Sequence, residues 1–194
     1  PDRYEAWLHP NKAEMARVDD WIETFTEICV SPEDDVEIRR FTLTNYSDQP
    51  RELELTTYAE VVLTDRAADA AHPAFSKLFV RTEADPARRA LLATRRSREA
   101  GKTYPWLFHA LCGDGTASDG GTEPSLEYET DRIRFVGRNR SLADPAAMDP
   151  DARLSGTVGP VLDPIVSLRR RLRLGPKEKK QVAFVLGTAP GRDE

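Results

Sequence analysis

The sequence predicts an all-β protein, a large antiparallel β-sandwich, on three observations. In most segments apolar residues alternate with polar ones, which is the period of two of a β-strand. These segments are short, and turns rich in glycine, proline, asparagine and aspartate separate them. No segment shows the strand-and-helix alternation of a parallel α/β sheet. With 194 residues, 39% of them hydrophobic, the chain is long enough to bury a sandwich core.

The N-terminal region predicts three strands, over Tyr4–Leu8, Ala13–Val18 and Trp21–Val30. The third has the clearest pattern, because every second position from Ile22 to Val30 carries isoleucine, threonine or valine. The segment Ser31–Asp34, which contains a proline, then predicts a turn into the next strand.

The region from Asp35 to Thr64 predicts two further strands. Alternation is strongest between Arg51 and Thr64, where one face is apolar or threonine and the other is mostly charged. Before it, the parity of the apolar residues changes at Arg39 and Arg40, which predicts a β-bulge. A turn at residues 45–50 joins the two strands, so we expect them to pair as an antiparallel hairpin.

Five strands and one short helix are expected further along the chain. The strands are predicted over Phe75–Thr82, Arg89–Thr94, Tyr104–Cys112, Ile165–Leu174 and Gln181–Gly187. The turn Gly175–Glu178 predicts a second hairpin, between the last two strands. The helix is predicted over Thr130–Val136, with Thr130 or Asp131 as its N-cap and Gly137 at its end.

The domain organisation is expected to be simple, with one sandwich domain over residues 1–194. Segments 113–124 and 141–153 lack hydrophobic alternation, and we expect both to be long loops. The chain begins at Pro1 without a leader sequence, so we expect it to be part of a much longer polypeptide. No run approaches the roughly 18 apolar residues of a spanning helix, so direct membrane insertion is not expected.

The charge pattern argues against nucleic-acid binding. The chain carries 28 Lys and Arg residues against 33 Asp and Glu residues, a net charge of −5, whereas non-specific nucleic-acid binding depends on positive potential. In the most basic segment, Arg169, Arg171 and Arg173 share one parity and leucines occupy the other. We interpret these arginines as the solvent-facing side of an amphipathic strand.

The sequence contains no recognised catalytic or metal-binding motif. It has no HxH, HExxH, CxxC, GxSxG or phosphate-loop pattern, and Asp114–Glu123 lacks the ligand spacing of an EF-hand. Cys29 and Cys112 are too few for a disulfide framework and are predicted to be reduced core thiols. We therefore expect no metal and no cofactor, and a pair of catalytic carboxylates is the one class that the sequence leaves open.

Two segments carry the residue types that bind sugars, which are aromatic platforms beside planar hydrogen-bonding groups. Trp106 and His109 lie in the predicted strand Tyr104–Cys112, and His72 and Phe75 lie in the segment HPAF. We take these four as the candidate ligand-binding residues. The competing interpretation is structural, with Trp106 in the core and the HPAF segment as a loop anchor.

Five segments together resemble the phosphorylase-like module of bacterial cyclic β-1,2-glucan synthases, in glycoside hydrolase family 94, formerly glycosyltransferase family 36. The resemblance extends from about Tyr4 to Thr188 in the family's order, and no single segment is a catalytic signature. The segments are WIETFTEICVSPEDDVEIRRFTLTN, RELELTTYAEVVLT, AAHPAFSKLFV, YETDRIRFVGR and GTVGPVLDPIVSLRRRLRL.

The resemblance implies that this chain is the family's N-terminal super-sandwich, related in shape to galactose mutarotase. As partners it implies β-1,2-glucan or a related oligosaccharide, a helical (α/α)6 barrel elsewhere in the parent chain, and a second copy in a homodimer. In the family the barrel carries the general acid, and no position here matches it, so no catalytic residue is implied. It also implies a membrane-bound parent, with this region on the cytoplasmic side of the bacterial inner membrane.

Three functions stand as alternatives at this stage. The first is a non-catalytic glycan-binding domain, and the second is a scaffold for barrel packing and dimerisation, which predicts a contiguous apolar patch on one sheet face. The third is a mutarotase-like epimerase, which needs two histidines close together, with His72 and His109 as the pair. We expect the isolated domain not to be an enzyme, although its parent resembles a glycosyltransferase and glycoside phosphorylase.

Overall fold

A computed structural model describes residues 2–97, 101–113 and 126–193. Three short helices lie in this part of the chain, α1 (Arg66–Ala71), α2 (Pro73–Lys77) and α3 (Arg132–Val136), with a 3-10 turn at Ala146–Met148. Its strands are β1 (Arg3–Leu8), β2 (Ala13–Asp19), β3 (Ile22–Val30), β4 (Val36–Asn45), β5 (Arg51–Thr56), β6 (Ala59–Glu60), β7 (Val80–Asp85), β8 (Ala90–Arg95), β9 (Trp106–Cys112), β10 (Glu127–Asp131), β11 (Pro164–Leu174) and β12 (Lys179–Ala189).

The strands of the described part form two sheets, which confirms the predicted all-β class. The larger sheet has eight strands in the order β1-β2-β3-β4-β12-β9-β8-β7. The smaller sheet has the order β10-β11-β5, and β6 also pairs with β11. The pairs with resolved registers, such as β3 with β4 and β7 with β8, are antiparallel.

The chain divides into two compact units. The described residues of unit 1 lie within Pro1–Leu55, Ala110–Pro124 and Arg171–Gly187. Those of unit 2 lie within Thr56–His109, Ser125–Arg170 and Thr188–Glu194. Each unit therefore combines segments that are distant in sequence, as antiparallel sheet proteins do when successive strands enter different sheets.

Each unit has its own buried apolar residues. In unit 1, Leu43, Val182 and Phe184 are buried, and the ring of Phe184 makes an edge contact with Phe41 at 6.1 Å between centroids. In unit 2, one cluster joins α3 to the loop before β11 and to β11 itself. Its buried members are Phe135, Val136, Ala147, Leu154 and Ile165, with Tyr58 packed against them.

Neither predicted hairpin forms. Strand β4 pairs with β3 and β12, whereas β5 lies beside β11 in the smaller sheet. Likewise β11 and β12 are consecutive in sequence but belong to different sheets. The turns themselves lie where composition predicts them, but alternation identifies a strand without identifying its neighbour.

The predicted bulge at Arg39 and Arg40 is also wrong. The pairing of β3 with β4 runs without a shift through Glu27↔Arg40 and Ile28↔Arg39. The apolar residues of β4 change parity at this point although the backbone pairing stays regular. The face that carries Phe41 and Leu43 therefore carries an arginine at position 39. Arg39 stands on the same face as Ile28 and pairs with the Glu37 carboxylate at 2.5 Å.

The structure confirms the predicted helix α3, but it has a second helix, α2, where a strand was predicted. Helix α3 confirms the prediction, since Asp131 caps it by accepting a hydrogen bond from the Ile133 N–H at 2.9 Å, and it ends at Gly137. The strand predicted over Phe75–Thr82 is wrong in its first half, which belongs to helix α2. Pro73 occupies the first turn of α2, where its fixed φ and missing N–H favour a helix start.

Three burial predictions need correction. Arg169 is 0% exposed and Arg170 is buried too, although Arg169 was placed on a solvent-facing side. The reason is topological, because β11 is the central strand of the smaller sheet and loop carbonyls cover its arginine. Cys112 is exposed and Cys29 half-buried, so neither is a core thiol, and no disulfide joins them.

The two predicted loops differ in what the structure shows of them. Residues 114–124 of the first lie outside the described residues. The second contains the 3-10 turn Ala146–Met148, and Arg140 organises it. The Arg140 guanidinium binds the Asp144 carboxylate at 2.8 Å and the Asp149 carboxylate at 2.5 Å.

Candidate functional site

One cleft of unit 2 lies at the start of β7 and the end of β8. Their register pairs Val80 with Arg95 and Arg81 with Thr94. It continues one pair beyond the strands, where the Arg96 N–H donates to the Phe79 carbonyl at 2.8 Å. Since directly opposed residues share a face and alternate residues return to it, Phe79, Arg81, Thr94 and Arg96 lie on one face.

A bend before β11 closes the cleft. Gly159 forms an isolated bridge with Thr82, in which each residue's N–H donates to the other's carbonyl, at 2.9 and 3.1 Å. Gly159 adopts φ +106°, a conformation that glycine reaches easily and other residues rarely adopt. The bend at Gly159 places Pro160 at the cleft. The cleft has a volume of about 290 Å³ and is lined by Leu78, Phe79, Val80, Arg81, Thr94, Arg96 and Pro160.

Two guanidinium groups lie close to the ring of Phe79, the aromatic residue that lines the cleft. Arg95 and Arg96 lie 5.5 and 5.8 Å from the centroid of Phe79. Arg95 also lies 5.6 Å from the centroid of Tyr104 and donates to the Ser76 carbonyl at 2.9 Å. These cation–π contacts hold the arginine side chains in place.

The cleft has the chemistry of a binding site. Leu78, Phe79 and Pro160 supply apolar surface, and Arg81, Thr94 and Arg96 supply hydrogen-bonding groups. Among the described residues, none that lines it carries a carboxylate, imidazole or thiol. The lining therefore offers no proton-transfer group and no activated nucleophile.

Two of the predicted ligand-binding residues, His72 and Phe75, lie at the α1–α2 junction. His72 is exposed and serves as the boundary residue of both helices. Phe75 is 50% exposed, and its ring makes an edge contact with Phe79 at 5.3 Å between centroids. The structure thus brings Phe75 against a wall of the cleft, although Phe75 does not line it.

The other two, Trp106 and His109, lie on β9. They are three residues apart, so they project from opposite faces of the strand. Trp106 is half-buried, whereas His109 is 5% exposed with its Nε2 2.7 Å from the Thr57 Oγ1. The four predicted residues are therefore divided between a helix junction and a strand.

Sequence reasoning missed Phe79, Arg81, Thr94 and Arg96 as a group. Alternation alone places Phe79 with Arg81, because both lie in a predicted strand. Their association with Thr94 and Arg96 requires the β7–β8 register, which depends on the turn at residues 86–89. A Pro-Ala-Arg-Arg turn between two alternating segments was the available signal for this hairpin.

A second polar cluster in unit 2 surrounds Tyr58. Its hydroxyl donates to the Glu60 carboxylate at 3.0 Å and accepts from Arg132 Nε at 3.1 Å. Burial, together with the bond to Glu60, raises the pKa of Tyr58 to about 12. Lys77 and Arg132 both approach the Asp163 carboxylate, at 2.6 and 3.7 Å. The cluster pairs two cations with two carboxylates, which is typical of a structural network.

Within residues 2–97, 101–113 and 126–193, no group of three or more His, Cys, Asp or Glu side chains is placed to hold a metal ion. None of the helices in that part of the chain has the length and apolar character needed to span a membrane.

Comparison with known sequences gives one relative of high similarity. The chain is 40% identical over 183 residues to the cyclic β-(1,2)-glucan synthase NdvB of Rhizobium meliloti (strain 1021). The match covers 94% of this chain and 6% of the synthase, so the chain spans a small fraction of this relative's length.

Two solved structures share the fold. A polysaccharide lyase superposes with a TM-score of 0.51 at 15% identity, over 93% of this chain and 22% of the lyase. Heparan sulfate lyase HepC from Pedobacter heparinus superposes with a TM-score of 0.50 at 8% identity, over 97% of this chain and 22% of HepC. At these identities the likeness concerns the fold alone.

The family assignment rests on the full length of the chain. The profile of the glycosyl hydrolase 94 supersandwich domain matches residues 1–194. The match agrees with the two antiparallel sheets and with the resemblance carried by the five sequence segments. This chain therefore belongs to the supersandwich domain family of glycosyl hydrolase 94.

Proposed function

We propose that this chain is a non-catalytic glycan-binding domain that works within a longer glucan synthase, and that the β7–β8 cleft is its binding site. The observation that carries the proposal is the lining of the cleft, where apolar side chains stand beside two arginines and a threonine. Such a lining suits a sugar, whose C–H face packs on apolar surface while its hydroxyls take hydrogen bonds.

The context of the relative supports a carbohydrate ligand. The synthase that matches this chain is named for a β-(1,2)-glucan, and the family is one of glycosyl hydrolases. By extension, β-1,2-gluco-oligosaccharides are the first ligands to test. The size of the cleft, about 290 Å³, is at the lower end for ligand pockets, which favours contact with one or two sugar residues.

The test is titration of the isolated chain with sophorose and longer β-1,2-gluco-oligosaccharides, followed by amide chemical shifts. We expect weak binding in the millimolar range, with shifts centred on residues 78–81 and 94–96. Phe79→Leu and Thr94→Val are expected to weaken it about tenfold or less, because each removes one contact.

Trp21→Ala is the matched control, since Trp21 is an exposed aromatic residue of unit 1. It is expected to leave binding unchanged. The proposal fails if no shift occurs at millimolar oligosaccharide, or if the shifts centre on β9 or the α1–α2 junction instead of the cleft.

A scaffold role is the second candidate, and the exposed side of unit 1 favours it. Pairing places Leu8, Ala13, Ile28, Arg39 and Phe184 in one row across five strands. Phe184 is buried at one end of this row, while Leu8 at the other is 88% exposed. Leu8, Ala13 and Ile28 form an apolar strip that reaches solvent near β1, as a docking surface for another part of the parent chain would, and the Arg39–Glu37 ion pair separates this strip from Phe184.

A further inference from the structure

We infer that the β7–β8 cleft selects a saccharide that carries an oxyanion, such as a phosphate ester. The inference rests on the proposed glycan binding and names the chemical class of the ligand. It is carried by the charge and position of Arg96 and Arg81, which both line the cleft and which a neutral sugar alone does not require.

Arg96 is the first element of the inference. It is exposed, it lines the cleft, and within the described part of the chain no carboxylate forms an ion pair with it. Its guanidinium is held near the Phe79 ring, at 5.8 Å from the centroid. The fork of N–H groups on a guanidinium matches two oxygens of one oxyanion.

Arg81 adds a second positive group on the same face. Its Nη2 donates to the Glu83 carboxylate at 3.0 Å, but Glu83 also accepts from Arg192 Nε at 3.0 Å. One carboxylate thus serves two guanidiniums, and Arg192 also pairs with the Asp193 carboxylate at 3.2 Å. With Arg96, three cations therefore stand against two carboxylates. The cleft is locally positive in a chain whose net charge is −5, so an anion is attracted to this cleft and not to the protein at large.

The apolar part of the cleft favours a saccharide ester over a free anion. Leu78, Phe79 and Pro160 line the cleft beside the arginines. Inorganic phosphate gains nothing from such a surface, whereas the C–H face of a sugar ring is stabilised by it. Thr94, which is paired with Arg81 across the strands, offers a neutral hydroxyl for a sugar oxygen.

The test compares three probes on the isolated chain by calorimetry and amide shifts, namely glucose 6-phosphate, glucose and inorganic phosphate. We expect glucose 6-phosphate to bind at least tenfold more tightly than either of the others. Added salt is expected to weaken glucose 6-phosphate binding and to leave glucose binding unchanged. Arg96→Gln and Arg81→Gln are each expected to lower the affinity for glucose 6-phosphate about tenfold, because each removes a charge-assisted contact.

Arg88→Gln is the matched control, since Arg88 lies in the turn of the same hairpin and pairs with Asp85 at 2.7 Å. It is expected to leave the affinity for glucose 6-phosphate unchanged. Equal binding of glucose and glucose 6-phosphate overturns the inference, and so does an Arg96→Gln variant that keeps the preference. Inorganic phosphate that binds as tightly as the ester overturns the saccharide assignment.

The neutral ligand separates this inference from the proposed function. If sophorose shifts the cleft residues while glucose 6-phosphate shows no preference, glycan binding stands and the oxyanion inference falls. If none of the ligands shifts these residues at millimolar concentration, both fall.

Discussion

At the scale of one residue, Arg169 is fully buried, although the alternation of its strand predicts that it faces solvent. Its guanidinium donates to the Ala152 carbonyl at 2.7 Å, to the Ala147 carbonyl, and to the Thr56 hydroxyl at 2.9 Å. Nearby, the buried Glu129 accepts from the Thr130 and Asp131 N–H groups, each at 2.9 Å. These bonds satisfy charges that water cannot reach, and Arg169 joins the 146–152 segment to β11.

Arg169→Met is therefore expected to lower the free energy of unfolding by at least about 2 kcal/mol, because it leaves buried carbonyl groups without a donor. Arg169→Lys is expected to recover part of the loss, since one ammonium group cannot reproduce the fork of donors. Urea unfolding measures both. Arg173→Met is the control, because Arg173 lies on the same side of the strand as Arg169 but is exposed; it is expected to change stability by less than about 0.5 kcal/mol. Equal losses at the two positions would contradict this account.

Tyr58 gives a prediction about pH. Its folded-state pKa is about 12, while a tyrosine in the unfolded chain ionises near 10. Between these values the folded state retains a proton that the unfolded state has released. The contribution to stability is therefore fully present below about pH 10 and is lost as the pH rises through about 12.

In Tyr58→Phe, the free energy of unfolding is expected to decrease less between about pH 10 and pH 12 than in the wild type, because phenylalanine has no proton to lose there. Denaturant unfolding at several pH values measures the slope, and the tyrosinate absorbance of wild type minus variant gives the pKa directly. Tyr4→Phe, at an exposed tyrosine on β1, controls for the loss of a hydroxyl. A difference spectrum that titrates near pH 10 would refute the assignment.

At the scale of secondary structure elements, the end of α3 depends on a glycine. Gly137 has φ +88° and ψ 160°, a region open to glycine. A Cβ built there would lie 2.8 Å from the Ala146 Cβ, inside the van der Waals contact distance. The position is therefore constrained twice, by backbone conformation and by the close approach of the 3-10 turn.

Gly137→Ala is expected to destabilise the chain by about 2–4 kcal/mol, because strain and overpacking add. Gly156→Ala is the comparison, since Gly156 also has a positive φ of +70° but a Cβ there would meet Tyr128 at an ordinary 3.7 Å. We expect about 1–2 kcal/mol at Gly156 from backbone strain alone. Thermal or urea unfolding measures both variants, and an equal effect would show that packing against Ala146 contributes nothing.

At the scale of the whole molecule, one face of the larger sheet in unit 1 carries apolar side chains in its buried part and again near β1, with the Arg39–Glu37 ion pair between them. The opposite face carries ion pairs, such as Arg40 with the Glu27 carboxylate at 2.5 Å, beside the buried Ala16 and Thr42. The scaffold hypothesis expects the exposed apolar residues of the first face to contact another protein surface.

Leu8→Lys and Val30→Lys are expected to change the stability of the isolated chain by less than about 0.5 kcal/mol, because these side chains are 88% and 65% exposed. Leu43→Lys, on the buried part of the same face, is the control and is expected to cost more than about 3 kcal/mol. In the longer polypeptide, the scaffold hypothesis expects the two exposed substitutions to increase limited proteolysis. A large loss of stability in the isolated chain would show that this chain covers the face itself.

Most individual strands could be predicted from the sequence, because a period of two is a local property. Strands β1, β2, β3, β8 and β9 lie within a few residues of their predicted bounds. The helix α3 was predicted for the same reason, since its cap and its final glycine are close neighbours in sequence. The hairpins and the burial of Arg169 could not be predicted, because they depend on which strand lies beside which.

The sequence by itself determined the all-β class, the positions of most strands and turns, and, through five segments with family resemblance, the glycosyl hydrolase 94 family. The tertiary structure alone decided the pairing of the strands and the grouping of Phe79, Arg81, Thr94 and Arg96 around one cleft. The physical reason is that hydrophobic alternation is read along one strand, whereas a binding site is assembled across strands by their register.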